Sequence, residues 1–227
     1  MLGSTESVEY HADELNKKGV VYLNTVSNGR GFLNMGASHT LQPFINEIAR
    51  YVEDPQTDVT VFERSLALRK VKGTLEPDHS DDIPISPLGS GSDYTPCLQH
   101  AGISSLNLGF GGENRGGSYH SAYDTYEYYT RFGDRDFMYG VTLAKVAGRA
   151  TLRLAQADVL PYRFGPFADN VGKYLEEVQE LADETCELTE TDDSAIASGA
   201  YELAADPTKK FVPRLRNRPC HFLTLHR

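Results

Sequence analysis

The residue best suited to hold a metal ion is His120, set between Tyr119 and Ser121. Neutral imidazole is the commonest protein metal ligand. The approach to it, Gly111-Gly112-Glu113-Asn114-Arg115-Gly116-Gly117, is rich in glycine, which lets backbone come close to a bound group. Tyr119 beside it offers a phenol that can bind a substrate oxygen. Read by itself, such a histidine is more often a hydrogen-bonded structural residue, and both readings stay open on this motif alone. A second motif is Leu88-Gly89-Ser90-Gly91-Ser92-Asp93-Tyr94. Two glycines and two serines ahead of a helix can present backbone N–H groups to an anion. The plainer reading is a turn capped by Ser92 or Asp93. It is no phosphate loop, because the Lys-Ser/Thr ending is missing, and Gly89-Ser90-Gly91 lacks the spacing of a nucleophile elbow. A third position is the end of the run Val20–Val26. Sites of α/β sheets gather at the carboxyl ends of strands, but Val26 offers no carboxylate there.

The remaining candidates are weaker. His11, His39, His79, His100, His221 and His226 show no convergent spacing. Cys97, Cys186 and Cys220 are far apart, with no Cys-x-x-Cys pair, which argues against a zinc ribbon or redox pair. The acidic residues between 176 and 187 read as a solvated helix face.

These motifs need elements to position them. Residues 4–18 read as a helix with Val8, Ala12 and Leu15 on one face and Gly19 as its stop. Val20–Val26 reads as a strand buried on both faces, ending in the loop Ser27-Asn28-Gly29-Arg30-Gly31. A helix is expected over 40–53, with Thr40 as N-cap and Pro43 in its first turn. Residues 54–92 read as loop-rich, which is more often functional than idle at this length. A short helix follows Ser92, running to about His100, then a strand from Ile103 to Phe110. Gly111–Gly117 is expected to be irregular. A long, mostly buried helix covers 135–158, and Leu160-Pro161 marks a boundary. An amphipathic helix is expected over 166–187, with Val171, Leu175, Val178 and Leu181 on its apolar face, and another over about 193–205. Two strands cannot make the sheet that so many helices need to cover. Both ends look cut, and the chain reads as a piece of something larger.

Bulk properties narrow the function. The 227 residues are 40% hydrophobic and 24% charged, ordinary for a globular protein. A net charge of −10 argues against nucleic acid, which wants a basic face. No apolar run reaches the ~18 residues of a membrane span. The first residues have neither the basic region nor the apolar core of a signal peptide. The compartment stays open.

The chain resembles the zinc peptidase family of glutamate carboxypeptidase II, to which the non-catalytic transferrin receptor also belongs. The similar stretches are Leu2-Gly3-Ser4-Thr5-Glu6, Tyr22-Leu23-Asn24, Leu88-Gly89-Ser90-Gly91-Ser92-Asp93 and, most specific, Tyr119-His120-Ser121-Ala122-Tyr123-Asp124-Thr125-Tyr126-Glu127. Order and spacing hold from residue 2 to about 165. The resemblance implies an α/β fold: part of a mixed-sheet zinc-exopeptidase (phosphorylase/hydrolase-like) domain over 1–160, followed by the start of a helical dimerisation domain over 161–227. It implies two zinc ions bridged by water, peptide substrates and a homodimer. His120 matches the family's last histidine ligand, and Tyr119 a tyrosine that binds the substrate's terminal carboxylate. Gly91, in the Ser90-Gly91-Ser92 turn, matches a position lining the substrate cleft. The departures are as informative. The family's first histidine, its bridging aspartate and its Glu-Glu pair are expected upstream of Met1. Its strand-end aspartate ligand falls on Val26. The arginine-rich patch of some members is absent around Leu106-Asn107-Leu108-Gly109-Phe110. The expectation is a metallopeptidase fragment that is inactive by itself, or else a non-catalytic association module.

Overall fold

The structure is a computed structural model that describes residues 2–74, 82–113 and 118–197, with side chains to residue 186. It divides into two units, Met1–Asp169 and Asn170–Arg227. The first opens with α1 (Leu2–Tyr10) and α2 (Ala12–Lys18), a single expected helix that breaks at His11. Gly19 stops it as expected, but by close approach rather than by a left-handed turn. Its N–H bonds the Leu15 carbonyl at 2.7 Å, and a Cβ there would lie 2.6 Å from that same oxygen.

A mixed sheet of order β1-β3-β2 follows, built from β1 (Val21–Asn24), β2 (Gly31–Ala37) and β3 (Ser104–Gly112). β1 runs parallel to β3, and β2 antiparallel to it. Three strands replace the two expected. β1 is an edge strand among the described residues and only half-buried, not covered on both faces. β2 was hidden by its two glycines and an asparagine, residues depleted in strands. Its period of two is nonetheless plain: Leu33, Met35 and Ala37 face the core, while Phe32, Asn34 and Gly36 face away. β3 repeats the pattern, with Leu106, Leu108 and Phe110 inward and Asn107 and Gly109 on the other face. It also continues through Gly111 and Gly112, which pair with Phe32 and Gly31, so the expected irregular segment begins later.

Helices cover the apolar face. A 3₁₀ turn, His39–Leu41, leads into α3 (Gln42–Ala49). Thr40 therefore sits inside the turn and caps nothing, because Leu41 takes the N-cap position. The stretch read as loop contains α4 (Val61–Lys72), entered by a capping box in which Thr60 Oγ1 accepts from Glu63 N–H and Glu63 accepts from Thr60 N–H. It is closed by Gly73 at φ +65°. After the short α5 (Tyr126–Tyr128), α6 (Met138–Ala155) is the expected long helix, shorter by a few residues at each end. Phe44, Ile45, Ile48, Tyr139, Leu143 and Val146 join the inward strand residues in one core.

α4 runs beside the outer edge of β2. Ser65 Oγ accepts from Leu33 N–H at 3.2 Å and donates back to Leu33 C=O. Ser86 continues the cover, donating its N–H to Met35 C=O and accepting from Ala37 N–H at 3.0 Å. An exposed edge strand is thereby satisfied without a fourth strand.

At the other end of the sheet the loop after β1 is pressed onto β3. Gly29 N–H bonds Phe110 C=O at 2.8 Å, and Phe110 N–H bonds Asn28 Oδ1 at 3.0 Å. The approach is close enough that a Cβ on Gly109 would stand 2.2 Å from the Ser27 carbonyl oxygen. Gly109→Ala is therefore expected to destabilise the chain by about 1–3 kcal/mol, the cost of overpacking against backbone. Urea unfolding measures it, and a change under about 0.5 kcal/mol would contradict this packing.

α7 (Phe164–Ala197) crosses the division between the units. It covers the expected 166–187 helix and continues where a break and a new helix at 193 were expected. Residues of that expected helix beyond 197 lie outside the described residues. No helix of the described residues is long and apolar enough to cross a membrane.

Candidate functional site

The polar face of the sheet, at the carboxyl ends of β1 and β3, is where the chemistry-bearing segments meet. Asn24, the last residue of β1, pairs with Asn107 of β3, donating its amide to Asn107 Oδ1 at 2.9 Å. It also donates to Ser92 Oγ at 3.1 Å, which ties the 88–94 loop to the strand end. Asp93 of that loop accepts from Ser4 Oγ at 3.0 Å, and this hydroxyl holds its carboxyl below the usual carboxylate range. The loop is thus a braced turn with Gly91 at φ +103°, a conformation L side chains rarely adopt.

Two cavities open here. One, of about 470 Å³, lies between Asn34, Gly36, Asn107 and Gly109 of the sheet and Ser86–Tyr94, with Arg69 on its wall. The other, of about 530 Å³, lies between the Val26–Gly29 loop, Gly111, Gly112 and the segment from Ser118 to Tyr129, with Asp124 on its wall. Val26, Ser27, Phe110 and Tyr119 line both. Among the described residues, Arg69 is the charged side chain in the first lining and Asp124 that in the second. Burial, then Asp134, pushes the Tyr129 phenol of the second cavity up, so it is a protonated donor at neutral pH.

Tyr119 is 71% exposed on the ridge between the cavities. His120 follows it in the left-handed region at φ +58°. The reason is local: Ser121 N–H bonds Ser118 C=O at 2.9 Å and Asp124 N–H bonds Ser121 C=O at 3.1 Å, two successive tight turns. Non-glycine residues held there concentrate at functional sites. The imidazole stacks on the Tyr119 ring, with centroids 3.8 Å apart and planes 20° from parallel. It is exposed and lines neither cavity wall.

Of the residues expected from sequence, Tyr119 and Gly91 line the first cavity. Ser90, in the same turn, and His120 are exposed and outside the lining. Val26 is 61% exposed, an aliphatic side chain two residues past the end of β1. Sequence reasoning missed Asn24, Asn34, Asn107 and Arg69. Of these, Asn107 was legible as the polar position between the inward Leu106 and Leu108. Among the described residues no three His, Cys, Asp or Glu side chains gather as a metal site.

The chain is 33% identical over 184 residues to the probable glutamate carboxypeptidase LAMP1 of Arabidopsis thaliana, covering 79% of this chain and 25% of that protein. It is 34% identical over 184 residues to the probable glutamate carboxypeptidase VP8 of Zea mays, with 80% and 24% covered. The aminopeptidase NAALADL1 of Mus musculus is 24% identical over 189 residues, with 79% and 25% covered. The chain belongs to the glutamate carboxypeptidase-like peptidase family. It spans about a quarter of the length of these relatives. No family model matches it. The small mixed sheet with its helices is consistent with part of a peptidase domain of this family, followed by a helical segment.

Proposed function

We propose that this chain is a segment of a peptidase that hydrolyses peptide bonds at a chain end, and that the two cavities grip the substrate across the Tyr119 ridge. The observation that carries the reading is the convergence of the 88–94 turn, the strand ends and the Tyr119-His120 turn on one polar cleft, in a chain of this family. In this reading Tyr119, Gly91 and Ser90 meet the substrate, and residues 1–160 and 161–227 are the peptidase part and the start of a helical dimerisation domain. His120 is the zinc ligand that the chain supplies to a two-zinc centre of a longer parent.

The residues present do not fit a catalytic zinc by themselves. Such a site takes about three protein ligands. Here the chain offers one exposed imidazole, and Val26 occupies the position where the resemblance expects an aspartate. This chain alone is therefore expected to show neither stoichiometric zinc nor turnover. The test is hydrolysis of short peptides, with amino or carboxyl end blocked in turn, by the parent protein and by this chain. Loss of turnover on blocking one end supports the reading. Turnover indifferent to both blocks, or none in the parent, defeats it.

Val26 favours a second reading, a non-catalytic member that works by association. Both readings include a homodimer built through the helical segment. The apolar residues of α7 support this: Val171, Leu175, Val178 and Leu181 are 46–63% exposed in the single chain. A helix stripe of that kind is ordinarily covered by other helices. Sedimentation at rising concentration is expected to show a dimer that Leu175→Glu with Val178→Glu abolishes. A monomer at every concentration would contradict it.

A further inference from the structure

The outer face of α6 is apolar and uncovered. Tyr139, Leu143, Val146 and Ala150 turn one side of the helix into the core. On the opposite side Val141 and Leu152 are exposed, with Phe137 and Met138 at the helix start, all 41–61% accessible. The face runs into a hollow of about 220 Å³, lined by Ile48, Tyr51, Arg149, Leu152 and Arg153. One border of the face is basic. Lys145 stands one turn from Val141, and Arg149 one turn from Leu152. Arg153 pairs with Glu47, but Lys145 and Arg149 are exposed and form no ion pair among the described residues. On a chain of net charge −10, an apolar face with a basic border selects an acidic, apolar partner.

α7 presents the complement. Its stripe of Val171, Leu175, Val178 and Leu181 is exposed as well. Glu177 lies four positions before Leu181 and Glu184 three after it, so both carboxylates border the stripe on the same side. Burial, then Glu177, pushes the Tyr174 phenol up, which sets the Glu177 charge beside a ring of that face. We propose that α7 of a second copy of this chain docks its apolar stripe on the outer face of α6, with Glu177 and Glu184 against Lys145 and Arg149. Two-fold symmetry makes the contact twice, each α6 taking the other copy's α7. The proposal rests on the homodimer reading above and names the surface that α7 meets. A dimer of α7 against α7 would leave the α6 face bare and its two cations unopposed.

Sedimentation velocity of the 227-residue chain at rising concentration provides the test. Lys145→Glu with Arg149→Glu sets like charges face to face and is expected to weaken the dimer about tenfold or more. Glu177→Lys with Glu184→Lys is expected to do the same from the other side. All four substitutions together restore opposite charges, and the dimer is expected to return. All four positions are exposed, so the fold tolerates the changes. Should one variant still fail to fold, the unaltered chain gives a second reading. Raising salt from about 0.05 M to about 0.5 M screens the pairs and weakens the dimer, which a purely apolar contact would not show. A dimer that keeps its affinity in Lys145→Glu with Arg149→Glu overturns this docking surface and leaves the dimer reading itself standing. A fourfold variant no tighter than either pair, or a dimer indifferent to salt, also overturns it. A monomer at every concentration sinks the dimer reading and this proposal together.

Discussion

Asp54→Ala is expected to destabilise the chain by about 3–5 kcal/mol, the cost of breaking a buried ion pair from one side. The Asp54 side chain is 1% exposed. Both its oxygens accept from Arg64 at 2.8 Å, and Oδ1 also accepts from Gln56 N–H at 2.9 Å and Thr57 Oγ1 at 3.1 Å. Arg64 further bonds the Tyr139 hydroxyl and Glu113, and its guanidinium lies over the Phe32 ring. Burial, then Asp54, pushes the Tyr139 phenol up to about 12, so it stays a protonated donor. Removing Asp54 strands a buried guanidinium and a buried hydroxyl together. Glu113 still holds one side of the guanidinium, which places the effect toward the lower end of the range. Glu47→Ala is the control. Its partner Arg153 is half-exposed, and the pair is expected to contribute under about 1 kcal/mol. Chemical denaturation of both variants compares them directly, and equal losses would refute the picture of a buried network. Glu113 follows the last residue of β3. The same variant is therefore expected to loosen Gly111 and Gly112, which line the second cavity, and to weaken ligand binding there.

The second large effect concerns Val26. It is exposed in the loop after β1, so Val26→Asp is expected to leave stability within about 0.5 kcal/mol, as surface changes do. Its chemical effect is expected to be much larger. In the proposed reading, a carboxylate at this position of the parent protein would stand where the resemblance expects a zinc ligand. Activity is expected to rise at least tenfold, since even partners one step removed from a metal change activity by about 10–100-fold. Steady-state hydrolysis of an end-unblocked peptide measures it. An unchanged rate at unchanged stability would mean that the valine is no isolated lesion, and would favour the association reading.

Much of this fold was legible in the sequence, and the failures share physical causes. The long helix over 138–155 and the strand through Leu106 and Phe110 follow from hydrophobic period alone. β2 was lost because Gly31, Asn34 and Gly36 lower strand propensity, and those are the residues that make a polar, open cleft face. α4 was lost because its exposed face is polar and its surroundings are rich in Pro and Gly, although Thr60-x-x-Glu63 before Val61 and Phe62 was a readable start signal. Asn24 and Asn107 could not be paired from sequence, because their contact depends on the parallel register of β1 and β3. Arg69 carried no local signal. Its place at the cavity follows from Ser65 fixing the helix to a strand edge that the sequence reading did not contain. The Tyr119-His120 and Ser90-Gly91-Ser92 segments were legible as glycine-rich motifs before the resemblance gave them roles, and the structure brings Tyr119 and Gly91 to one cavity.

The most direct test of the peptidase-family account is the zinc content of the parent protein, measured by mass spectrometry after exhaustive dialysis, with and without His120→Ala. The account predicts bound zinc that falls in His120→Ala while the unfolding midpoint stays unchanged. Equal zinc in the two proteins, or none in either even with Val26→Asp, would contradict it.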